Sequence, residues 1–234
     1  MKIKYQSVFK TIVTGLLLVV LLIAEREQLM SVNSGMAVRG EPRVCVVIDA
    51  GHGGADPGKI GINGALEKDI NLQIALLVKE YLEAQDVEVV MTRESEEGLY
   101  DADASNKKVQ DMKRRIAIID EASPVLTVSI HQNSYPEEYV SGAQVFYYTG
   151  GKESQKLAEL IQESLIARVD AQNHRQTKAN DSYYLLKKTA TPIVIVECGF
   201  LSNGAEAEKL CSQDYQERVA WAIHMGVLQY INDV

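Results

Sequence analysis

Short runs of apolar residues recur along the chain, and each run ends at a polar or glycine-rich stretch. A continuous apolar run of this kind is typical of a strand that is buried on both faces of a sheet. The first run ends in an acidic residue, Asp49, and a glycine-rich loop over residues 50–64 follows it. The sequence predicts strands over residues 44–49, 87–91, 125–130, 143–148 and 192–196.

Between these runs, apolar residues recur every three to four positions, which predicts amphipathic helices. Asn106 is placed to cap one helix, because an asparagine side chain accepts a hydrogen bond from the first turn. Residues 93–107 and 170–182 are polar without a period and predict loops. The predicted helices cover residues 67–85, 108–120, 152–169 and a terminal stretch from residue 214 or 215 onward. Alternating strands and helices predict a single α/β domain with a mostly parallel sheet and helices on both faces.

The N-terminus carries a different pattern. Three lysines precede an apolar run over residues 12–24, and charged residues end it. That length suits the core of a secretory signal peptide and is short for a full membrane span. A cleaved signal and a retained anchor both remain open, and either would export the domain. The predicted organisation is a signal peptide or N-terminal membrane anchor over residues 1–24, a linker over 25–42 and a catalytic domain over 43–234.

Charge and composition narrow the class of protein. At 46% hydrophobic and 24% charged residues, the chain has enough apolar material for a sizeable core. The net charge is −8, and because residues 1–30 contribute +2, the remainder carries −10. Nucleic-acid binding needs clustered Lys and Arg to neutralise phosphates, so we expect no nucleic-acid partner.

The cysteines add little to this interpretation. Cys45, Cys198 and Cys211 form no C-x-x-C pair, and their number is odd. No disulfide framework is therefore expected. Cys45 and Cys198 adjoin apolar runs and are interpreted as small buried residues.

Four polar residues lie where the predicted strands end or a helix begins. His52 follows the first strand, His131 follows the third, Glu197 follows the fifth, and Glu67 opens the first helix. In open α/β sheets, ligands bind at the carboxyl edge of the strands. Two imidazoles and a carboxylate form the protein part of a catalytic zinc site, which lowers the pKa of a water molecule to roughly 7. His52, Glu67 and His131 are therefore candidate zinc ligands, and Glu197 is the candidate general base.

Each of these residues also has an ordinary explanation. Taken singly, His131 fits a hydrogen-bonded core histidine, Glu67 a helix-start acid stabilised by the helix dipole, and Glu197 a solvated strand end. His52 is harder to explain by packing, because glycines on both sides indicate a tight loop that presents the ring. The shared placement at one sheet edge favours the functional interpretation. His174 and His224 are interpreted as structural or solvent-facing residues.

Four segments together resemble the zinc-dependent N-acetylmuramoyl-L-alanine amidases, a family of bacterial cell-wall hydrolases. The similar segments are residues 46–54 (VVIDAGHGG), 67–71 (EKDIN), 129–134 (SIHQNS) and 192–203 (PIVIVECGFLSN), in the order in which the family has them. Several motifs in order are far more specific than any one of them. The resemblance extends from about residue 43 to the C-terminus.

The resemblance implies a six-stranded α/β fold and hydrolysis of the amide between the lactyl group of N-acetylmuramic acid and L-alanine of peptidoglycan. It implies that His52, Glu67 and His131 bind the metal and that Glu197 is the catalytic glutamate. Asn133 and Arg115 are candidates for holding glycan or peptide, and a structural role is the alternative for both.

Within the family, the chain looks most like the spore-cortex amidases of endospore formers, which act in muramic-δ-lactam formation and germination. This likeness implies a place in the cell wall or forespore intermembrane space. It also implies a lipoprotein partner of the kind that some members need. Gln132 departs from the alanine that many members carry after the second histidine, and it bears on the substrate subclass.

Two alternatives from other classes stay open on the sequence. One is another zinc-dependent cell-wall hydrolase, such as a peptidase or a sugar deacetylase. The other is a non-catalytic wall-binding protein with the same fold. The presence of Glu197 argues against the second alternative, because its main use is chemical.

Overall fold

One mixed sheet lies at the centre of the domain that the structure describes. The computed structural model describes residues 43–233, so the predictions for residues 1–24 and 25–42 lie outside the described residues. The strands of the described part are β1 (Cys45–Ala50), β2 (Glu88–Met91), β3 (Leu126–Asn133), β4 (Gln144–Tyr147), β5 (Lys178–Ala179) and β6 (Ile193–Phe200). They are arranged in the order β2-β1-β3-β6-β4-β5, and only the β4–β6 pair is antiparallel.

Helices cover both faces of the sheet. Those of the described residues are α1 (Glu67–Glu83), α2 (Lys107–Ala122), α3 (Lys152–Arg168), α4 (Tyr184–Lys188), α5 (Gly204–Leu210) and α6 (Gln213–Asn232). The predicted α/β class and the mostly parallel, six-stranded sheet are confirmed. Asn106 caps α2 as predicted, since its side chain accepts a hydrogen bond from the Val109 N–H at 3.1 Å.

The continuous apolar runs arise because the strands bury both of their faces. In β1, Val46 and Ile48 pack into the larger core under α1, α3 and α6, whereas Val47 faces the smaller core under α2 and α4. In β6, Val194 and Val196 alternate with Ile193 and Ile195 in the same way. Successive side chains of a strand point to opposite faces, so a run without polar gaps is needed where both are covered.

Two strands extend past their predicted ends. The apolar pattern predicts that the third strand ends at residue 130 and the fifth at 196, but β3 continues to Asn133 and β6 to Phe200. His131 and Glu197 therefore lie inside neighbouring strands, as direct partners in the parallel ladder. The apolar pattern stops early because these side chains face a cleft rather than the core.

Other differences concern short elements. The predicted polar loop over residues 170–182 contains the two-residue strand β5, and α4 and α5 were not predicted. Elements of two, five and seven residues are too short for an apolar period to repeat several times in the sequence. Cys198 is buried as expected, but Cys45 is half-buried and Cys211 exposed, and all three thiols are free. Among the helices of residues 43–233, none combines the length and the hydropathy needed to cross a membrane.

The close packing of α6 on α3 leads to a prediction. A Cβ added at Gly226 of α6 would lie 2.7 Å from the Cα of Ile161 in α3, so Gly226→Ala must push the helices apart. We expect a loss of about 1–3 kcal/mol in unfolding free energy, despite the better helix propensity of alanine. Urea denaturation measures it. Gly204→Ala is the matched control, because a Cβ there meets nothing within 4 Å, and equal stabilities of the two variants would contradict the packing argument.

Candidate metal centre and active site

Two imidazoles and one carboxylate meet at the carboxyl edge of the sheet. His52 Nε2 lies 3.1 Å from Glu67 Oε1, and His131 Nδ1 lies 2.9 Å from the same oxygen. One ligand atom from each residue falls within 4.8 Å of the others. The structure thus brings together the three candidate ligands, which come from the loop after β1, the start of α1 and the interior of β3.

Glu67 is ionised although its side chain is only 3% exposed. Burial raises the pKa of its carboxyl group, but hydrogen bonds and charge from His131 and His52 outweigh burial and hold the pKa far below its ordinary range. The backbone N–H groups of Lys59 and Gln132 also donate to it, at 2.8 and 3.1 Å. One carboxylate and two imidazoles together provide a suitable set of ligands for a catalytic divalent metal such as zinc.

The loop that carries His52 has a strained backbone, which hydrogen bonds from two arginines stabilise. His52 has a φ of 62°, in the left-handed region that non-glycine residues rarely adopt. Its carbonyl accepts hydrogen bonds from Arg93 Nε, at 2.8 Å, and from Arg115 Nη2. The same arginines bind the carbonyl of Ala50, at 2.9 and 2.7 Å. These contacts stabilise a conformation that the chain alone would not favour.

Gly51 is required by the close approach of His131. A Cβ at position 51 would lie 2.4 Å from Cε1 and Nε2 of the His131 ring. No side chain fits there without moving a candidate ligand. The glycine-rich loop therefore serves two purposes: it presents His52 and it leaves room for His131.

Asp56 orients the His52 ring. Its Oδ2 lies 3.1 Å from His52 Nδ1 and also 3.2 Å from Lys108 Nζ. When a metal ion takes the place of the Nε2 proton, a proton held on Nδ1 by this carboxylate would leave the Nε2 lone pair for the metal. Histidine ligands of metals commonly have such a carboxylate partner, so Asp56 completes the arrangement.

Glu197 lies beside this cluster, and its two carboxylate oxygens differ in their hydrogen bonding. Oε1 accepts a hydrogen bond from the Tyr183 hydroxyl at 3.1 Å, whereas Oε2 is buried and has no partner among the described residues. The residue is 6% exposed. Burial raises the pKa of this carboxyl group, and although His131 acts in the opposite direction, the net shift is upward. A poorly solvated carboxylate with a free oxygen is suited to accept a proton.

The two candidate substrate residues occupy different positions. Arg115 is 2% exposed, and its guanidinium already binds Asp49, Asp111 and the backbone under the His52 loop. Asn133 is half-buried and lines the cleft. The substrate role of both residues stays a prediction, and the contacts of Arg115 are those of a supporting residue.

The cleft around the site has two lobes. Both are lined by His52, Asp56, Lys108, His131, Tyr183 and Glu197. One lobe adds the apolar side chains of Met112, Leu185 and Ile195, together with the charged Asp49, Asp111 and Arg115. The other adds polar groups, among them Lys59, Gln132, Asn133 and Ser134. A substrate whose reacting bond lies at the metal centre can therefore extend in two chemically different directions.

Several supporting residues were not identified from the sequence. Arg93 lies two residues after the end of β2, so the rule that singled out strand ends could have found it. Tyr183 gives no such signal, because it lies in an irregular segment. Gln132 contacts the site more closely than expected, since its amide donates to Asn71 Oδ1 at 3.1 Å and Asn71 in turn contacts Glu67. Outside the site, His174 is exposed and His224 is buried in α6, as interpreted.

The fold and the site together define a class: proteins with an open, mostly parallel α/β sheet and a candidate metal centre at its carboxyl edge. Residues 46–229 match the family model described as N-acetylmuramoyl-L-alanine amidase. The chain belongs to this family of enzymes.

Relatives and solved structures agree with this assignment. The chain is 37% identical over 191 residues to the germination-specific N-acetylmuramoyl-L-alanine amidase of Bacillus subtilis, with 80% of each chain covered. It is 38% identical to the CwlD amidase of Clostridioides difficile, solved in complex with the GerS lipoprotein, at a TM-score of 0.80 over 82% of this chain and 100% of that one. The catalytic domain of CwlV from Bacillus (Paenibacillus) polymyxa is 30% identical at a TM-score of 0.71, over 81% of this chain and 98% of that one.

The buried pair beneath the site leads to a prediction. Asp49 binds Arg115 at 2.6 Å and Thr92 at 2.7 Å, and although burial raises its pKa, Arg115 and the Ser129 hydroxyl lower it to about 2. Asp49→Asn leaves the buried guanidinium short of a counter-charge. We expect a loss of about 3–5 kcal/mol in unfolding free energy at pH 7, measured with urea.

The same substitution should change the pH dependence of stability. A carboxylate with a lowered folded-state pKa stabilises above its unfolded pKa of about 4, and the effect is lost as the pH falls towards 2. The difference between wild type and Asp49→Asn should therefore shrink below pH 4. The exposed Asp120→Asn is the control, and a difference that stays constant with pH would contradict the charge argument.

Proposed function

We propose that this protein is a zinc-dependent N-acetylmuramoyl-L-alanine amidase that cleaves the amide between the lactyl group of N-acetylmuramic acid and L-alanine in peptidoglycan. The observation that carries this proposal is the meeting of His52, Glu67 and His131 beside Glu197, whose Oε2 has no protein partner among the described residues. Family membership supports the same reaction.

In the proposed site, His52, Glu67 and His131 would hold the zinc ion through His52 Nε2, a Glu67 carboxylate oxygen and His131 Nδ1. When bound, zinc acts as a Lewis acid, which activates water and polarises the amide carbonyl. Glu67 brings the negative charge, and Asp56 keeps the His52 ring in the required orientation. The glycines of the His52 loop let these groups approach closely.

Glu197 moves the proton in the proposed mechanism. Its carboxylate takes a proton from the attacking water and delivers it to the departing nitrogen of L-alanine. The amide C–N bond breaks as the new C–O bond forms, which yields a free lactyl carboxyl group and a stem peptide with an amino terminus. The two lobes of the cleft give the glycan side and the peptide side of the substrate separate surfaces.

Replacement of Glu197 tests this role. Glu197→Ala should retain zinc and lose turnover by about 10²–10⁴-fold, which is the usual contribution of a general base. Zinc is measured by elemental analysis, and products of peptidoglycan digestion are measured by mass spectrometry. Glu208→Ala, at an exposed position of α5, is the control. Near-native turnover of Glu197→Ala would show that another group acts as the base.

The same digestion separates the alternative functions. Free stem peptides that begin with L-alanine support the amidase. Peptides cut within the stem would indicate a peptidase, and loss of acetyl groups would indicate a deacetylase. Intact peptidoglycan that is bound by the protein would indicate a wall-binding protein.

Asp56 provides a second test, of the metal centre itself. Removing the carboxylate partner of a histidine ligand typically costs about 10–100-fold in metal affinity or activity. We expect Asp56→Ala to lower zinc affinity by about that factor, measured by competition with a chromophoric chelator. Asp103→Ala, an exposed acid, should bind zinc like the wild type. Unchanged affinity of Asp56→Ala would argue that His52 is not a ligand.

The finer setting of the proposal is the spore cortex. The likeness to a germination-specific amidase and to an amidase solved with a lipoprotein supports a role in muramic-δ-lactam formation, with a lipoprotein as activating partner. We propose that residues 43–234 are the catalytic domain and that residues 1–24 export it, as a signal or as an anchor. Spores that lack the protein should then have cortex without muramic-δ-lactam, which muropeptide analysis detects.

A further inference from the structure

Tyr183 is held in place from both ends next to the candidate base. It lies immediately before α4, where its backbone N–H donates to Asn180 Oδ1 at 2.9 Å. Its ring packs edge-to-face against Phe146 of β4, with centroids 5.6 Å apart. Its hydroxyl donates to Glu197 Oε1 at 3.1 Å. The phenol is thus a fixed donor rather than a mobile side chain.

This contact makes the two oxygens of Glu197 different. Oε1 is occupied by the tyrosine hydroxyl, and Oε2 is buried with no partner among the described residues. Without Tyr183, both oxygens would be unpaired and the carboxylate could rotate. Burial and the charge of Glu197 raise the pKa of Tyr183, so the phenol keeps its proton and remains a donor. One oxygen of the carboxylate is therefore tied to Tyr183, and the other has no protein partner among the described residues.

We propose that Tyr183 is a positioning residue for the general base: its hydroxyl fixes the Glu197 carboxylate through Oε1 and keeps Oε2 free to receive the proton of the attacking water. This inference rests on the proposed function, because it takes Glu197 as the base. Tyr183 acts through Glu197 and not on the substrate, and this distinction can be measured.

The first test is Tyr183→Phe in the full-length protein, which keeps the ring against Phe146 and removes only the hydroxyl. We expect kcat on peptidoglycan fragments to fall by about 10–100-fold, as for a lost hydrogen bond to a charged group that must be aligned. KM and zinc content should stay within about twofold of wild type. Tyr148→Phe, at an exposed position away from the cleft, is the matched control and should leave kcat unchanged.

The second test is a double-mutant cycle with Glu197→Gln. If Tyr183 acts through Glu197, adding Tyr183→Phe to Glu197→Gln should lower the residual turnover no further. An equal loss in both backgrounds would assign Tyr183 to the substrate or the reacting atoms and overturn the proposal. A rise in KM at unchanged kcat, or a loss of zinc from Tyr183→Phe, would overturn it as well.

The outcomes also separate this inference from the proposed function. If Glu197→Gln loses activity and Tyr183→Phe does not, only the role of Tyr183 is wrong. If Glu197→Gln is fully active, the base itself is misassigned. If Glu197→Gln is impaired and Tyr183→Phe shows the predicted loss in kcat only in the Glu197 background, both stand.

Discussion

The structure of the site depends on one buried carboxylate, Glu67. A carboxylate removed from water is costly unless charges and donors around it replace the lost hydration. Here, two imidazoles and two backbone N–H groups surround the oxygens of Glu67. Those neighbours come from segments that lie far apart in the chain. Keeping Glu67 ionised therefore requires β1, α1 and β3 to be packed together as in the folded structure. The same compensation gathers the donor set that a divalent metal needs.

A layer of buried arginines supports this cluster from below. Arg93 and Arg115 donate to consecutive carbonyls at the end of β1, and Asp49 and Asp111 neutralise part of their charge. The left-handed backbone of His52 is tolerable because these donors hold it. Loss of Arg115 would remove the charged partner of the buried Asp49 carboxylate, which is more costly than the loss of a surface ion pair.

The pKa values of the two acidic residues of the site are shifted in opposite directions. Glu67 has a lowered pKa because imidazoles surround it, whereas Glu197 has a raised pKa because burial dominates. Carboxylates with divergent environments take divergent roles, one as a permanent charge and one as a group that exchanges protons. Tyr183 adds to this difference, since it satisfies one oxygen of Glu197 and leaves the other free.

By itself, the sequence determined the local periods, and from them the main helices, most strands and the α/β class, because side-chain alternation and burial act between near neighbours. It also predicted that four polar residues share one sheet edge, since the carboxyl ends of parallel strands meet there. Only the tertiary structure decided that β3 and β6 continue through His131 and Glu197, that Arg115 lies buried under the His52 loop, and that Tyr183 reaches Glu197. These features depend on strand register and on contacts between separate elements. Such contacts leave no period in the sequence, because the residues that form them become neighbours only when the chain has folded.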